Sequence, residues 1–168
     1  KVPSGAGRAV MSGFSLGIDL GTSGVRSAVL GFGGEVLSEA RAEYGPQDPK
    51  EIDAEAWWDA VSVCLRRQIA NLSQAGHSPH SIARIGVDGT SGTMVLTDRD
   101  LAPVTRGLMY NDGGFDAEAE RIAALAPEPH ITRGSSSALA RVLRLQSEDT
   151  EGRATLLLHQ ADFIAARL

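Results

Sequence analysis

One cysteine, Cys64, is all the thiol this chain of 168 residues possesses. That excludes an intrachain disulfide and leaves no thiol cluster for a metal. No apolar run is long enough to span a bilayer, so a membrane-embedded protein is not expected. Clustered Lys and Arg are missing as well. With a formal net charge of −5, the chain offers no basic face for nucleic acid. The basic opening Lys1–Val10 has no hydrophobic stretch behind it and so is no secretory signal. It reads as a disordered or added leader, with Met11 as the natural start and 11–168 as the folded domain. His77, His80, His130 and His159 lack the spacing of a zinc site and read as surface or loop residues. A cytoplasmic protein fits these absences.

What is present suits a folded domain. The 42% hydrophobic and 22% charged content is that of a globular chain. A chain of this length buries roughly two-thirds of its unfolded surface.

The organising stretch is Leu16-Gly17-Ile18-Asp19-Leu20-Gly21-Thr22-Ser23-Gly24-Val25-Arg26-Ser27-Ala28-Val29. It predicts a strand, a tight turn over Gly21–Gly24 and a second strand returning antiparallel. Alternation sends Leu16, Ile18 and Leu20 to one face, with Gly17 and Asp19 on the other. Gly21 and Gly24 are able to take positive φ, letting backbone N–H groups converge on one point. Thr22 and Ser23 add hydroxyls there. Donors beside the Asp19 carboxylate suit a magnesium-bound polyphosphate, with Arg26 adding positive charge. A plain Gly-rich hairpin turn is the alternative. The chain holds no Gly-x-x-x-x-Gly-Lys-Ser/Thr loop, and a strand follows these glycines where a dinucleotide fingerprint needs a helix.

Glu35–Tyr44 predicts a third strand and completes an antiparallel meander. After an extended connection over Gly45–Lys50, Asp53 is placed to cap a long helix. Trp58, Val61, Leu65, Ile69 and Leu72 would form its buried stripe, and Gly76 its stop. The Trp57-Trp58 pair reads as core packing, ahead of a sugar-stacking platform. Strands are expected over Ser81–Asp88, Thr93–Asp98 and Thr105–Tyr110. Helices are expected over Gly113–Ala126, after a Ser135–Ser137 cap, and over Ala161–Leu168. The order predicts an α/β fold with a mixed sheet and packed helices.

A second constellation, Gly86-Val87-Asp88-Gly89-Thr90-Ser91-Gly92-Thr93, echoes the first loop. It reads as a polyol-binding loop in which Thr90 and Ser91 face ligand hydroxyls and Gly92 lets the ligand close on the backbone. A duplicated phosphate loop and a polar strand end without a ligand are the alternatives. Asp112, in Met109-Tyr110-Asn111-Asp112, is a further sugar contact or an N-cap for the helix that follows.

Gly-Ile-Asp-Leu-Gly-Thr-Ser-Gly resembles the first phosphate loop of the actin-like ATPase superfamily, whose domains are ribonuclease-H-like. The three elements together, over about Leu16–Leu168, resemble the N-terminal half of FGGY-family carbohydrate kinases. The likeness takes in the Trp pair and His159-Gln160-Ala161-Asp162-Phe163. Asp-Gly-Thr-Ser-Gly followed by Met-Tyr-Asn-Asp looks most like pentulose kinases of the D-ribulose-kinase type. Xylulose kinases carry a Gln-Met-His run where this chain has Thr90-Ser91-Gly92, and glycerol kinases an Arg-Glu pair at Ser91 and Gly92. Both departures weigh against those substrates.

The resemblance implies ATP-dependent phosphorylation of a sugar or polyol hydroxyl. Asp19 would orient Mg²⁺–ATP and hold the metal, directly or through water. Gly21, Thr22 and Ser23 would bind the transferring phosphoryl and Arg26 the nucleotide phosphates. Thr90, Ser91, Gly92 and Asp112 would hold the acceptor. The family's catalytic Asp lies near the end of the first domain, and no Asp here fits that context, Asp88 being a poor substitute. The base, the second phosphate loop and the adenosine pocket are thus expected beyond Leu168, in a C-terminal partner domain, and the chain alone is expected to be inactive. Self-association into a homodimer would hide the surface meant for that domain. A nucleotide switch or chaperone-like module, and a sugar-binding domain without ATP, are the rival readings.

Overall fold

The computed structural model describes residues 13–46, 48 and 51–168. The expected leader, the start at Met11 and part of the Gly45–Lys50 connection lie outside them. Strands β1 (Phe14–Leu20), β2 (Gly24–Leu30) and β3 (Val36–Glu43) form the expected antiparallel meander. β4 (Ile82–Gly89) joins β1 in parallel, giving a mixed sheet of order β3-β2-β1-β4. Alternation along β1 works as the pattern requires: Leu16, Ile18 and Leu20 are buried while Gly17 and Asp19 are exposed.

Helix α1 (Glu55–Gln74) packs against β2 and β3. Ala54 holds the capping position rather than the expected Asp53, which sits one residue earlier with its Oδ1 accepting the Glu55 N–H at 2.9 Å. At the other end Gly76 sits at φ +84°, with the His77 N–H bonded to the Leu72 carbonyl at 3.1 Å. This is a Schellman stop. The buried stripe differs from the expected one. Trp57, Ala60, Val61, Cys64, Gln68 and Leu72 face the sheet, whereas Ile69 is 49% exposed. The cause is Gln68, a polar residue on the core face, which accepts from Ser27 Oγ at 2.8 Å and donates to Ser38 Oγ. A purely apolar pattern cannot register such a residue. Trp57 is core, edge-on to Phe163 with centroids 6.1 Å apart.

A second core gathers around β5 (Met94–Thr97), which is buried along its whole length and pairs antiparallel with β6 (Leu156–His159). Helices α2 (Asp116–Ala123) and α3 (Ala138–Glu148) close over it through Phe115, Ile122, Ala140 and Leu145. Ser137 caps α3, accepting the Ala140 N–H at 3.1 Å. α4 (Gln160–Ala165) packs on β4.

Three expectations are corrected. Thr105–Tyr110 is not a strand, because its backbone bonds are divided: the Gly107 N–H reaches Ile52 while Leu108 bridges Met94. α2 begins at Asp116, so Asp112 is not its N-cap, and the Asp112 carboxylate instead accepts the Met109 N–H at 2.8 Å. The closing helix covers Gln160–Ala165 rather than Ala161–Leu168. Among the described residues no helix is long and apolar enough to cross a membrane.

Candidate functional site

The β1–β2 bend is open on the side where a ligand would enter. Gly21 N–H donates to the Gly24 carbonyl at 2.9 Å and closes the turn, and the Tyr44 N–H donates to the Ser23 carbonyl at 3.1 Å. Thr22 and Ser23 are exposed, and their N–H and hydroxyl groups have no partner among the described residues. The glycines serve a different purpose from the expected one. Neither Gly21 nor Gly24 takes positive φ. Gly24 is instead required by space, since a Cβ there would lie 2.4 Å from the Ala42 carbonyl oxygen.

Strand register draws the charges into a row. Asp19 pairs with Arg26 across the antiparallel ladder and with Asp88 across the parallel one, and Arg26 pairs in turn with Arg41. Arg41, Arg26, Asp19 and Asp88 therefore stand side by side on the sheet face opposite α1, all exposed. Asp19, Gly21, Thr22, Ser23, Arg26 and Arg41 line a cavity of about 310 Å³. A second cavity, about 420 Å³, is bounded by Thr22, Ser23, Tyr44, Trp57, Asn111 and Asp112. The bend thus separates two hollows, and Asp112 joins it in the second. Thr90, Ser91 and Gly92 line neither.

Thr90 is held from behind. Thr90 Oγ1 donates to the Leu20 carbonyl at 3.3 Å, and its N–H donates to Gln160 Oε1 at 3.1 Å. Gln160, fully buried, also reaches the Tyr44 hydroxyl at 3.3 Å through Nε2. Burial first, and then the charge of Asp19, push the Tyr44 phenol well above its ordinary value, while the Gln160 bond pulls the other way. Tyr44 and Gln160 are the residues that sequence reasoning missed as parts of the site. The strand-to-helix junction at His159-Gln160 was the available signal. Gly92 does adopt the left-handed region, at φ +81°, and Ser91 is exposed beside it.

The donor set suits a hard, hydrated cation. No three His, Cys, Asp or Glu side chains among the described residues gather closely enough to hold a metal by themselves. Mg²⁺ asks for less: one or two carboxylates, with waters and phosphate oxygens completing the octahedron. Asp19 and Asp88, adjacent in register beside exposed donors, meet that description.

The N-terminal domain of the FGGY family of carbohydrate kinases matches residues 14–139. The chain belongs to that family. Among curated FGGY relatives, xylulose kinase of Escherichia coli (strain K12) is 28% identical over 124 residues, covering 71% of this chain and 25% of the relative. Glycerol kinase of Brucella ovis is 36% identical over 107 residues, covering 61% and 21%. The chain thus spans a quarter or less of the length of these FGGY kinases. Two solved structures share the fold. Xylulose kinase from Rhodospirillum rubrum superposes with a TM-score of 0.74 at 17% identity, over 91% of this chain and 33% of that one. Plasmodium falciparum glycerol kinase with ADP gives 0.73 at 14% identity, over 91% and 33%. The mixed α/β architecture is therefore that of the actin-like N-terminal domain of FGGY kinases. The relatives named here are xylulose and glycerol kinases, which corrects the expectation of a specific likeness to D-ribulose kinase.

Proposed function

We propose that the protein containing this chain is an ATP-dependent kinase that phosphorylates a hydroxyl of a ketose or polyol. The observation that carries the reading is Asp19: it stands on the exposed face near the end of β1, whose alternate residues Leu16, Ile18 and Leu20 are buried, beside unpartnered donors of a Gly-Thr-Ser-Gly bend. In this reading Asp19 orients Mg²⁺–ATP, with Asp88 as a neighbouring carboxylate. Gly21, Thr22 and Ser23 cradle the transferring phosphoryl group, and Arg26 neutralises nucleotide charge. Mg²⁺ would supply charge neutralisation at the phosphate oxygens. Ser91, Gly92 and Asp112 face the acceptor, while Thr90 contributes chiefly by fixing its loop to β1 through Leu20.

The names of the relatives support xylulose or a related polyol as acceptor better than D-ribulose. The opposite wall of the cleft, with the proton-accepting Asp, a second phosphate loop and the adenosine pocket, is assigned to the remaining length that the relatives possess. A substrate panel of D-xylulose, D-ribulose and glycerol, followed by ADP release in the full-length protein, tests the reading. Acceptor-dependent turnover that Asp19→Ala abolishes is the expected result. Turnover indifferent to Asp19, or absent with every polyol, would overturn it.

A further inference from the structure

Arg141, on α3, is 6% exposed, yet no carboxylate meets it among the described residues. Nη2 donates to the Tyr110 carbonyl, and Nε is buried with no partner at all. Nη1 points to the Gly92 turn, 3.3 Å from where a Cβ on Gly92 would sit. Every other well-buried acid or base of this region is paired, Glu118 with Arg144 at 2.8 Å being the example on the same helix pair. Burying a guanidinium without a counter-charge costs stability, and the single hydrogen bond to the Tyr110 carbonyl offsets only part of that cost. Such a residue is explained when an incoming group completes its hydrogen bonds.

Its position indicates which group that is. Tyr110 lies between Met109 and Asn111, both of which line the cavity shared with Thr22 and Ser23. The Tyr110 N–H donates to Thr93 Oγ1 at 3.1 Å, so the guanidinium is clamped between the Gly92 turn and the Met109–Asp112 turn. Gly92 is left-handed at this point and puts no Cβ against Nη1. A planar fork with donors to spare matches an sp² oxygen far better than a lone hydroxyl.

We propose that Arg141 determines acceptor specificity, selecting substrates that carry a carbonyl or carboxylate oxygen next to their hydroxyls (ketoses or aldonates) over a simple polyol such as glycerol. The proposal rests on the kinase reading above. It makes two demands that a structural role does not make together. Removing the charge should leave the fold as stable or more so, and it should weaken acceptor use alone.

The test compares wild type, Arg141→Met and Arg141→Lys in the full-length protein, measuring melting temperature and KM for D-xylulose, D-gluconate, glycerol and ATP. In Arg141→Met the melting temperature should hold within about 2 °C or rise. Its KM for whichever of xylulose or gluconate is the better substrate should rise about tenfold or more, with KM for ATP unchanged. Arg141→Lys should recover part of that loss, and glycerol should be the acceptor least affected. A fall of many degrees in Arg141→Met would make the residue structural and overturn the proposal. So would an unaltered acceptor KM, or a loss equal for glycerol and the sp²-oxygen acceptors. A wild type that phosphorylates nothing overturns the kinase reading and this one with it, whereas an active wild type indistinguishable from Arg141→Met overturns this one alone.

Discussion

Asp19 and Asp88 are register partners in the parallel ladder between β1 and β4, and both are exposed on the same face of the sheet. Like charges directly opposite each other on neighbouring strands repel. Arg26 flanks Asp19 on the other side and offsets part of that repulsion. A divalent cation carried in with nucleotide would remove the rest. Asp19→Asn should therefore reduce Mg²⁺-dependent ATP affinity by roughly tenfold or more, a charged-contact loss. Asp88→Asn should raise the melting temperature of the metal-free chain while weakening nucleotide binding less. Calorimetry with and without Mg²⁺ separates the two, and equal ATP affinity in wild type and Asp19→Asn would remove the carboxylate from the site.

Gly24→Ala should be destabilising for steric reasons alone. The new Cβ would lie 2.4 Å from the Ala42 carbonyl oxygen and 2.9 Å from Glu43 Cα, both backbone atoms that cannot swing aside. A cost of about 1–3 kcal/mol is expected from such overpacking, read by chemical denaturation. Gly21→Ala, where the nearest atom is 3.7 Å away, should be nearly neutral for stability.

Gln160 links Thr90 to Tyr44 from inside the fold. Replacing it with Ala leaves the Thr90 N–H without its acceptor, at a cost of about 1–3 kcal/mol. Because the same bonds fix the Thr90–Thr93 turn, acceptor KM should rise in Gln160→Ala more than the KM for ATP. Steady-state kinetics with each substrate varied in turn would show it.

Glu118 on α2 and Arg144 on α3 tie the second core together at 2.8 Å. The hydrogen bond from Arg144 holds the Glu118 carboxyl below its usual value of 4.5, despite burial acting the other way. A depressed folded-state value means the contribution is complete above the unfolded pKa and is lost as pH falls through the folded one. Acid unfolding of wild type below about pH 4.5 should therefore be steeper than that of Glu118→Gln. Parallel acid-unfolding curves would show that the pair adds nothing.

The 168 residues alone should bind nucleotide weakly and show no sugar-dependent ATP turnover. Phosphoryl transfer relies on positioning and charge neutralisation from both walls of a closed cleft, of which the proposed function gives this chain one. Turnover by the isolated chain in a coupled ADP assay would refute the division of labour proposed here.

Local chemistry made much of this protein legible from its residues. Alternation in β1 placed Asp19 on the open face, Asp53 marked one helix start to within a residue and Ser137 another, and Gly76 marked a helix end, because each depends on neighbours a few positions away. The hairpin with its Gly-Thr-Ser-Gly bend was equally plain, since its turn and both strands lie in one short stretch. Tertiary packing decided the rest. The α1 stripe turned because Gln68 found Ser27 and Ser38 on strands some thirty to forty positions distant. Thr105–Tyr110 lost its strand because its backbone bonds were shared between Ile52 and Met94. The Arg41–Arg26–Asp19–Asp88 row, the Gln160 bridge and the uncompensated Arg141 arise only when remote segments meet. Burial, register and the presence or absence of a counter-charge belong to the folded chain, and sequence periodicity does not encode them.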